Sequence, residues 1–251
     1  MPFIRPEALL STKLIDAAYW LHTDADEAVA AARRLGFPTV LPISVGSLQA
    51  LVCSNVDTVV VAIAGSANLA DWIANFRFLP VGLEGDADPR RVHRGFRKSV
   101  ALAFDAIMAA VKEVHAPHRK RLVIAGHSKG GGEAVLLAFA MSKMPEFAAN
   151  VVYLLGCPGV GNRRFAREYD YILGGVTWRI VNNNDAVTRL GHRHVGRQVY
   201  FDWRGRMIEE AGFWRRLWNQ LIGRYVAWKQ GVKIDGAMDH LMPAYLGVLA
   251  C

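Results

Sequence analysis

The chain has 251 residues, 52% of them hydrophobic and 21% charged, and its 30 Lys and Arg outnumber 22 Asp and Glu for a net charge of +8. That composition excludes a disordered chain, and the length fits one α/β domain over residues 1–251 without asking for a boundary. Cys53, Cys157 and Cys251 form no C-x-x-C pair, which argues against a zinc knuckle or a disulfide framework and for a reducing compartment. The first 20 residues contain no uninterrupted apolar stretch followed by a cleavage site, so no secretory signal is expected and a cytoplasmic location is the default, with signal-independent export as the alternative. No run approaches the ~18 apolar residues of a membrane span. The basic residues are scattered, so nucleic acid is not an expected partner.

Residues 7–35 predict helices, with Gly36 where a C-cap belongs. SLQALVCS and TVVVAIAG, separated by Asn55-Val56-Asp57, predict a hairpin whose second member, residues 58–64, is buried on both faces. After the polar loop GLEGDADPRR, GFRKSVALAFDAIMAAVKEVHA predicts a long amphipathic helix. RLVIAGHS, VVYLLGCPG and VTWRIVNNND are then short apolar runs, each stopped by Gly, Pro or Asn/Asp, with helical stretches between them. Such alternation predicts a mostly parallel central sheet flanked by helices.

Gly126-His127-Ser128-Lys129-Gly130 lies between a β-type run and a helical one, the context in which G-x-S-x-G forms a nucleophile elbow. The turn leaves no room for side chains beside the nucleophile and lifts the Ser128 hydroxyl toward a helix N-terminus, where free N–H groups favour a developing oxyanion. The alternative is a Gly-rich turn whose serine caps the helix. A serine nucleophile needs a base oriented by an acid, and the expected order is Ser, Asp/Glu, His. Asp185 ends the strand-like VTWRIVNNND, and His240 lies in DGAMDHLMPAYLGVL. Asp185 also reads as an ordinary turn residue, and His192 and His194 rival His240 for the base. His127 is no rival, because its side chain leaves the elbow in another direction.

Six ordered blocks, VAIAGSANLADWIANFRFLPV, VHRGF, GHSKGG, LLGCPGVGNRRFA, RIVNNNDAVTRL and DHLMPAY, together resemble the class 3 (fungal-type) lipases of the α/β-hydrolase fold. The resemblance implies Ser128 as nucleophile, Asp185 as orienting acid and His240 as base. It implies oxyanion donors at Ser66, through its backbone N–H and hydroxyl, and at the backbone N–H of Lys129. Leu69, Trp72, Ile73 and Phe76 would belong to a lid over the cleft, although their spacing alone also suits a core helix, and Ser66 alone reads as a turn residue. Two departures stand out. Lys129 replaces the usual Leu after the nucleophile, which bears on an acyl pocket or an anionic head group. Ala64 replaces the usual Arg before the oxyanion Gly, which leaves the anchoring of that loop open.

The function expected on this basis is serine carboxylester hydrolysis of acylglycerols or related lipid esters, with neither cofactor nor metal. The alternatives are phospholipase A1 and a non-hydrolytic lipid-binding module. GFWRRLWNQLIGRYVAWKQ predicts a helix with Trp214, Leu217, Leu221, Tyr225 and Trp228 along one face and Arg215, Arg216, Arg224 and Lys229 elsewhere. It fits either an anionic lipid surface or a cover helix on the sheet.

Overall fold

The computed structural model describes residues 1–68, 79–115, 120–229 and 238–251. The expected lid residues Leu69, Trp72, Ile73 and Phe76 lie outside the described residues, as does the side chain of Trp228.

Two helices open the chain, α1 (Arg5–Tyr19) and α2 (Ala25–Arg34). Pro6 sits in the first turn of α1, where its missing N–H costs nothing. The Asp24 carboxylate caps α2 by accepting from Glu27 N, and Gly36 takes the left-handed φ of +91° that ends it. Next come β1 (Thr39–Val45), β2 (Leu48–Ser54) and β3 (Thr58–Ile63). The turn between β2 and β3 is held by the Asn55 side chain, whose Oδ1 accepts from the N–H groups of Asp57 at 3.1 Å and Thr58 at 2.9 Å. A small hairpin, β4 (Pro80–Gly82) and β5 (Arg91–His93), leads into the long helix α3 (Arg94–His115). Then β6 (Arg121–His127), α4 (Lys129–Met141), β7 (Val151–Leu155), α5 (Arg163–Leu173) and β8 (Thr177–Asn182) alternate. The chain ends with β9 (Arg197–Phe201), β10 (Met207–Glu209), α6 (Phe213–Lys229) and α7 (Met242–Ala250).

Eight strands form one sheet in the order β1-β2-β3-β6-β7-β8-β9-β10. Its centre, from β3 to β9, is parallel, while β1 and β2 at one edge and β10 at the other pair antiparallel. Successive side chains of a strand point to opposite faces, and β3 shows the consequence. Val59, Val61 and Ile63 join the core under α3, α4 and α5, whereas Val60 and Ala62 join the core under α1, α2 and α7. Both faces being covered, β3, β6 and β7 are mainly apolar, while β8 also buries Thr177, Arg179 and Asn182.

The sheet is mostly parallel, as the alternation predicts. β1, β9, β10 and the β4–β5 hairpin have no counterpart in that reading, because edge and short strands carry mixed polar sequence. The exposed face of α6 also includes a residue outside the expected set. Trp218 is exposed with Trp214, Leu221 and Tyr225, while Leu217 is only half-exposed.

Candidate active site

One residue separates β6 from α4, and it is Ser128, at φ 57° and ψ −124°. A non-glycine residue holds such a strained conformation only where its surroundings impose it. They do so on both sides. A Cβ on Gly126 would lie 2.2 Å from the Gly130 carbonyl oxygen, and one on Gly130 would lie 2.5 Å from the carbonyl oxygens of Ile63 and Ala64. The Ser128 N–H donates to the Leu155 carbonyl at 2.9 Å, which ties the elbow to β7. Its hydroxyl makes no capping bond, and its buried Oγ has no hydrogen-bond partner among the described residues. The helix-cap alternative is therefore excluded.

Asp185 follows β8 on a turn at the carboxyl end of the sheet, the edge where parallel sheets place their sites. Its Oδ1 accepts from Val187 N at 2.8 Å. Its Oδ2 accepts from His240 Nδ1 at 2.8 Å and from the Tyr245 hydroxyl at 2.6 Å. All three side chains are buried, and burial, together with the adjacent Asp185 carboxylate, holds the Tyr245 phenol well above the ordinary range. Because Nδ1 donates to the carboxylate, the neutral His240 ring presents an unprotonated Nε2. That atom, like Ser128 Oγ, is buried and has no hydrogen-bond partner among the described residues. The acid thus meets His240; His192 is exposed and His194 half-buried on the loop before β9.

The run of asparagines before Asp185 explains how the two distant segments meet. Asn182 Nδ2 donates to the Asp239 carbonyl at 2.9 Å, while Asn183 Nδ2 and Asn184 N donate to the Asp239 carboxylate at 3.0 and 3.1 Å. Gly156, at φ +55°, makes room for the pair. A Cβ there would lie 2.7 Å from His240 Cε1 and 2.8 Å from Asp185 Oδ2.

His127, inside the elbow motif, has a structural task. Its Nε2 lies 2.8 Å from the His240 carbonyl, which can only accept, so Nε2 carries the proton and Nδ1 accepts from the Tyr19 hydroxyl at 2.7 Å. Complete burial and the neighbouring His240 push its pKa well below the usual histidine range, so it stays neutral.

Gly65 approaches the elbow closely, since a Cβ on it would lie 3.0 Å from Ser128 Cβ. The loop that lacks the family's Arg is held from the end of α1 and the turn after it: His22 Nε2 donates to the Gly65 carbonyl at 3.2 Å, and the Tyr19 hydroxyl lies against the Gly65 backbone. Ser66 comes next. Its hydroxyl donates to the Asn68 carbonyl at 3.2 Å. The Lys129 ammonium is engaged within the fold: it donates to the Ser47 carbonyl at 2.8 Å and to buried Glu133 at 2.5 Å.

Residues 60–194 match the family model Lipase (class 3). The chain belongs to the class 3 lipase family. Relatives of this member of the family include the "Lipase" of Rhizomucor miehei, 28% identical over 57% of the chain and 41% of the relative. The "Secreted mono- and diacylglycerol lipase 1" of Fusarium solani is 32% identical over 57% of the chain and 44% of the relative. The matched stretch thus spans less than half the length of these curated relatives. Among solved structures, a deletion mutant of the Rhizomucor miehei lipase propeptide complex superposes with a TM-score of 0.69 at 22% identity, covering 87% of this chain and 74% of that one. A triacylglycerol lipase whose catalytic centre is formed by a serine protease triad gives 0.68 at 23% identity, over 81% and 83%. The fold is that of the α/β-hydrolases. The names of the relatives overturn one expectation: several are secreted lipases, so the cytoplasmic location inferred from cysteine usage and the N-terminal residues does not stand. A low cysteine count reports poorly on compartment when a sheet covered on both faces already supplies the core.

Sequence reasoning missed Tyr245, Gly156, Tyr19 and His22. Tyr245 sits in the DHLMPAY block and Gly156 in LLGCPG, but nothing local marks either as touching Asp185. Their roles arise from contacts between segments far apart in the chain.

Proposed function

We propose that this class 3 lipase hydrolyses carboxylic esters of acylglycerols or related lipids through an acyl-enzyme on Ser128. The observation that carries the reading is the buried pair of unsatisfied atoms, Ser128 Oγ and His240 Nε2, with His240 held through Nδ1 by Asp185. A buried polar atom without a partner costs free energy, and sites that keep such atoms commonly reserve them for substrate. Ser128 Oγ attacks the ester carbonyl and passes its proton to His240 Nε2, and Asp185 stabilises the imidazolium that forms. The backbone N–H groups of Lys129 and Ser66 hold the oxyanion; the former is the first N–H of α4 and has no carbonyl within its helix to bond. His240 then protonates the leaving alcohol, and water regenerates the serine by the same steps in reverse. Acylglycerols are the substrate class because relatives are named mono- and diacylglycerol lipases.

The test is hydrolysis of p-nitrophenyl esters of rising chain length beside a phosphatidylcholine vesicle assay. Wild type is expected to prefer longer chains, and Ser128→Ala and His240→Ala each to lose about 10⁴-fold or more in kcat. Equal rates in wild type and Ser128→Ala would sink the reading.

A further inference from the structure

One face of α6 is out of keeping with a cover helix. At about 100° per residue, Trp214, Trp218, Leu221 and Tyr225 fall within about 60° of one another on the helix circumference. They are 78%, 66%, 50% and 60% exposed. Large aromatic residues exposed together as a stripe mark a surface with something to bind. The opposite side of the helix faces the protein. Gln220 Nε2 donates to the Asn183 carbonyl at 3.3 Å and Gln220 Oε1 accepts from Arg189 at 2.7 Å. Gly223 packs so close to Trp203 that a Cβ would lie 2.9 Å from the Trp203 Cβ.

The charge of α6 selects the partner. From Phe213 to Lys229 it carries Arg215, Arg216, Arg224 and Lys229 and no Asp or Glu. Arg215, Arg224 and Lys229 are exposed, and the helical angle places Arg215 and Lys229 on one flank of the aromatic stripe and Arg224 on the other. Aromatics bordered by cations on both sides suit a helix lying in the plane of a bilayer, with Trp and Tyr at head-group depth and guanidinium groups on lipid phosphates. A protein partner as apolar as the stripe would leave those cations to be paired or desolvated, whereas an anionic lipid surface matches both features at once.

We propose that α6 docks this protein on anionic phospholipid surfaces. It does so beside the active site, because the Asn183 to which Gln220 is bonded lies two residues before Asp185. The proposal rests on the lipid-ester reading only in making the bilayer the place where substrate is met; docking itself needs no chemistry. None of the described helices is long and apolar enough to cross a membrane, consistent with a helix that lies on one.

The experiment measures cosedimentation with vesicles, using Ser128→Ala so that no lipid is consumed. Vesicles of phosphatidylcholine alone are compared with vesicles in which about one-third of the lipid is phosphatidylglycerol, at low and high salt. Binding is expected on the anionic vesicles and to fade as salt shortens the screening length. Arg215→Gln with Arg224→Gln should weaken it about thirtyfold, and Trp214→Ala with Trp218→Ala about tenfold. Circular dichroism checks that the variants are folded, which substitution of exposed side chains favours. In the active background, both double variants should hydrolyse soluble p-nitrophenyl butyrate at the wild-type rate. Binding that ignores head-group charge, or that survives both double substitutions, would overturn the proposal. So would a dimer in sedimentation velocity that Trp218→Asp dissociates while vesicle binding stays intact. Vesicle binding by a wild-type chain that hydrolyses no ester would leave the docking proposal standing and overturn the proposed function instead.

Discussion

Asp185 accepts three hydrogen bonds in a site with almost no water access, from Val187 N, His240 and Tyr245. The Tyr245 hydroxyl therefore positions the carboxylate, and Tyr245→Phe removes one charge-assisted bond while leaving the ring in place. We expect kcat to fall about tenfold with KM unchanged, and stability to fall by about 2 kcal/mol in urea unfolding. Gly156→Ala should be worse for activity than for folding. The left-handed backbone costs an alanine about 1 kcal/mol, whereas its Cβ intrudes on both members of the Asp185–His240 pair, so kcat should drop by about 10² or more. His127 sets a pH dependence. Its folded pKa lies below the unfolded value of ~6.5, so the unfolded chain takes up the proton first as pH falls. The stability it contributes is complete above about pH 6.5 and is lost below it, at up to about 1.4 kcal/mol per pH unit. Thermal melts across that window should show the fall, and His127→Gln should flatten it.

The elbow and α4 act together as an element. Lys129 spans from the first turn of α4 to the Ser47 carbonyl in the β1–β2 turn and pairs with Glu133 one turn on. Burial pushes the Glu133 carboxyl up, and the Lys129 ammonium opposes that shift. Lys129→Met leaves a buried carboxylate without its charged partner and should cost about 3–5 kcal/mol by urea unfolding. The double variant Lys129→Met with Glu133→Leu should recover most of that loss, since an apolar pair of similar volume suits the site. Little of this pairing is legible locally, because a lysine one residue past a nucleophile carries no mark of which way its side chain turns. The elbow itself is legible, since Gly126 and Gly130 are fixed by backbone atoms only a few residues or one strand away.

Across the whole molecule, the two large cores on opposite faces of the sheet share strands β2, β3, β6 and β7, so each face depends on the other. Leu14 of α1 is fully buried in the face opposite α4. Leu14→Ala should cost about 3 kcal/mol and shift one common unfolding transition, seen alike by far-UV and near-UV circular dichroism. Two separate transitions would mean that the faces unfold independently. By itself the sequence determined the central strands, the long helix α3 and the strained serine, because apolar runs and helical periodicity act over a few residues and Gly126 is required by the Gly130 carbonyl four residues on. The tertiary structure decided which acid meets which histidine, since the turn at Asn182–Asp185 and the segment at Asp239–His240 lie 55 residues apart and are stitched only when the chain returns. It also decided the edge strands, the inward turn of Lys129 and the outward face of α6. In each case two or more local readings have nearly equal free energy, and the contacts that choose between them come from elsewhere in the chain.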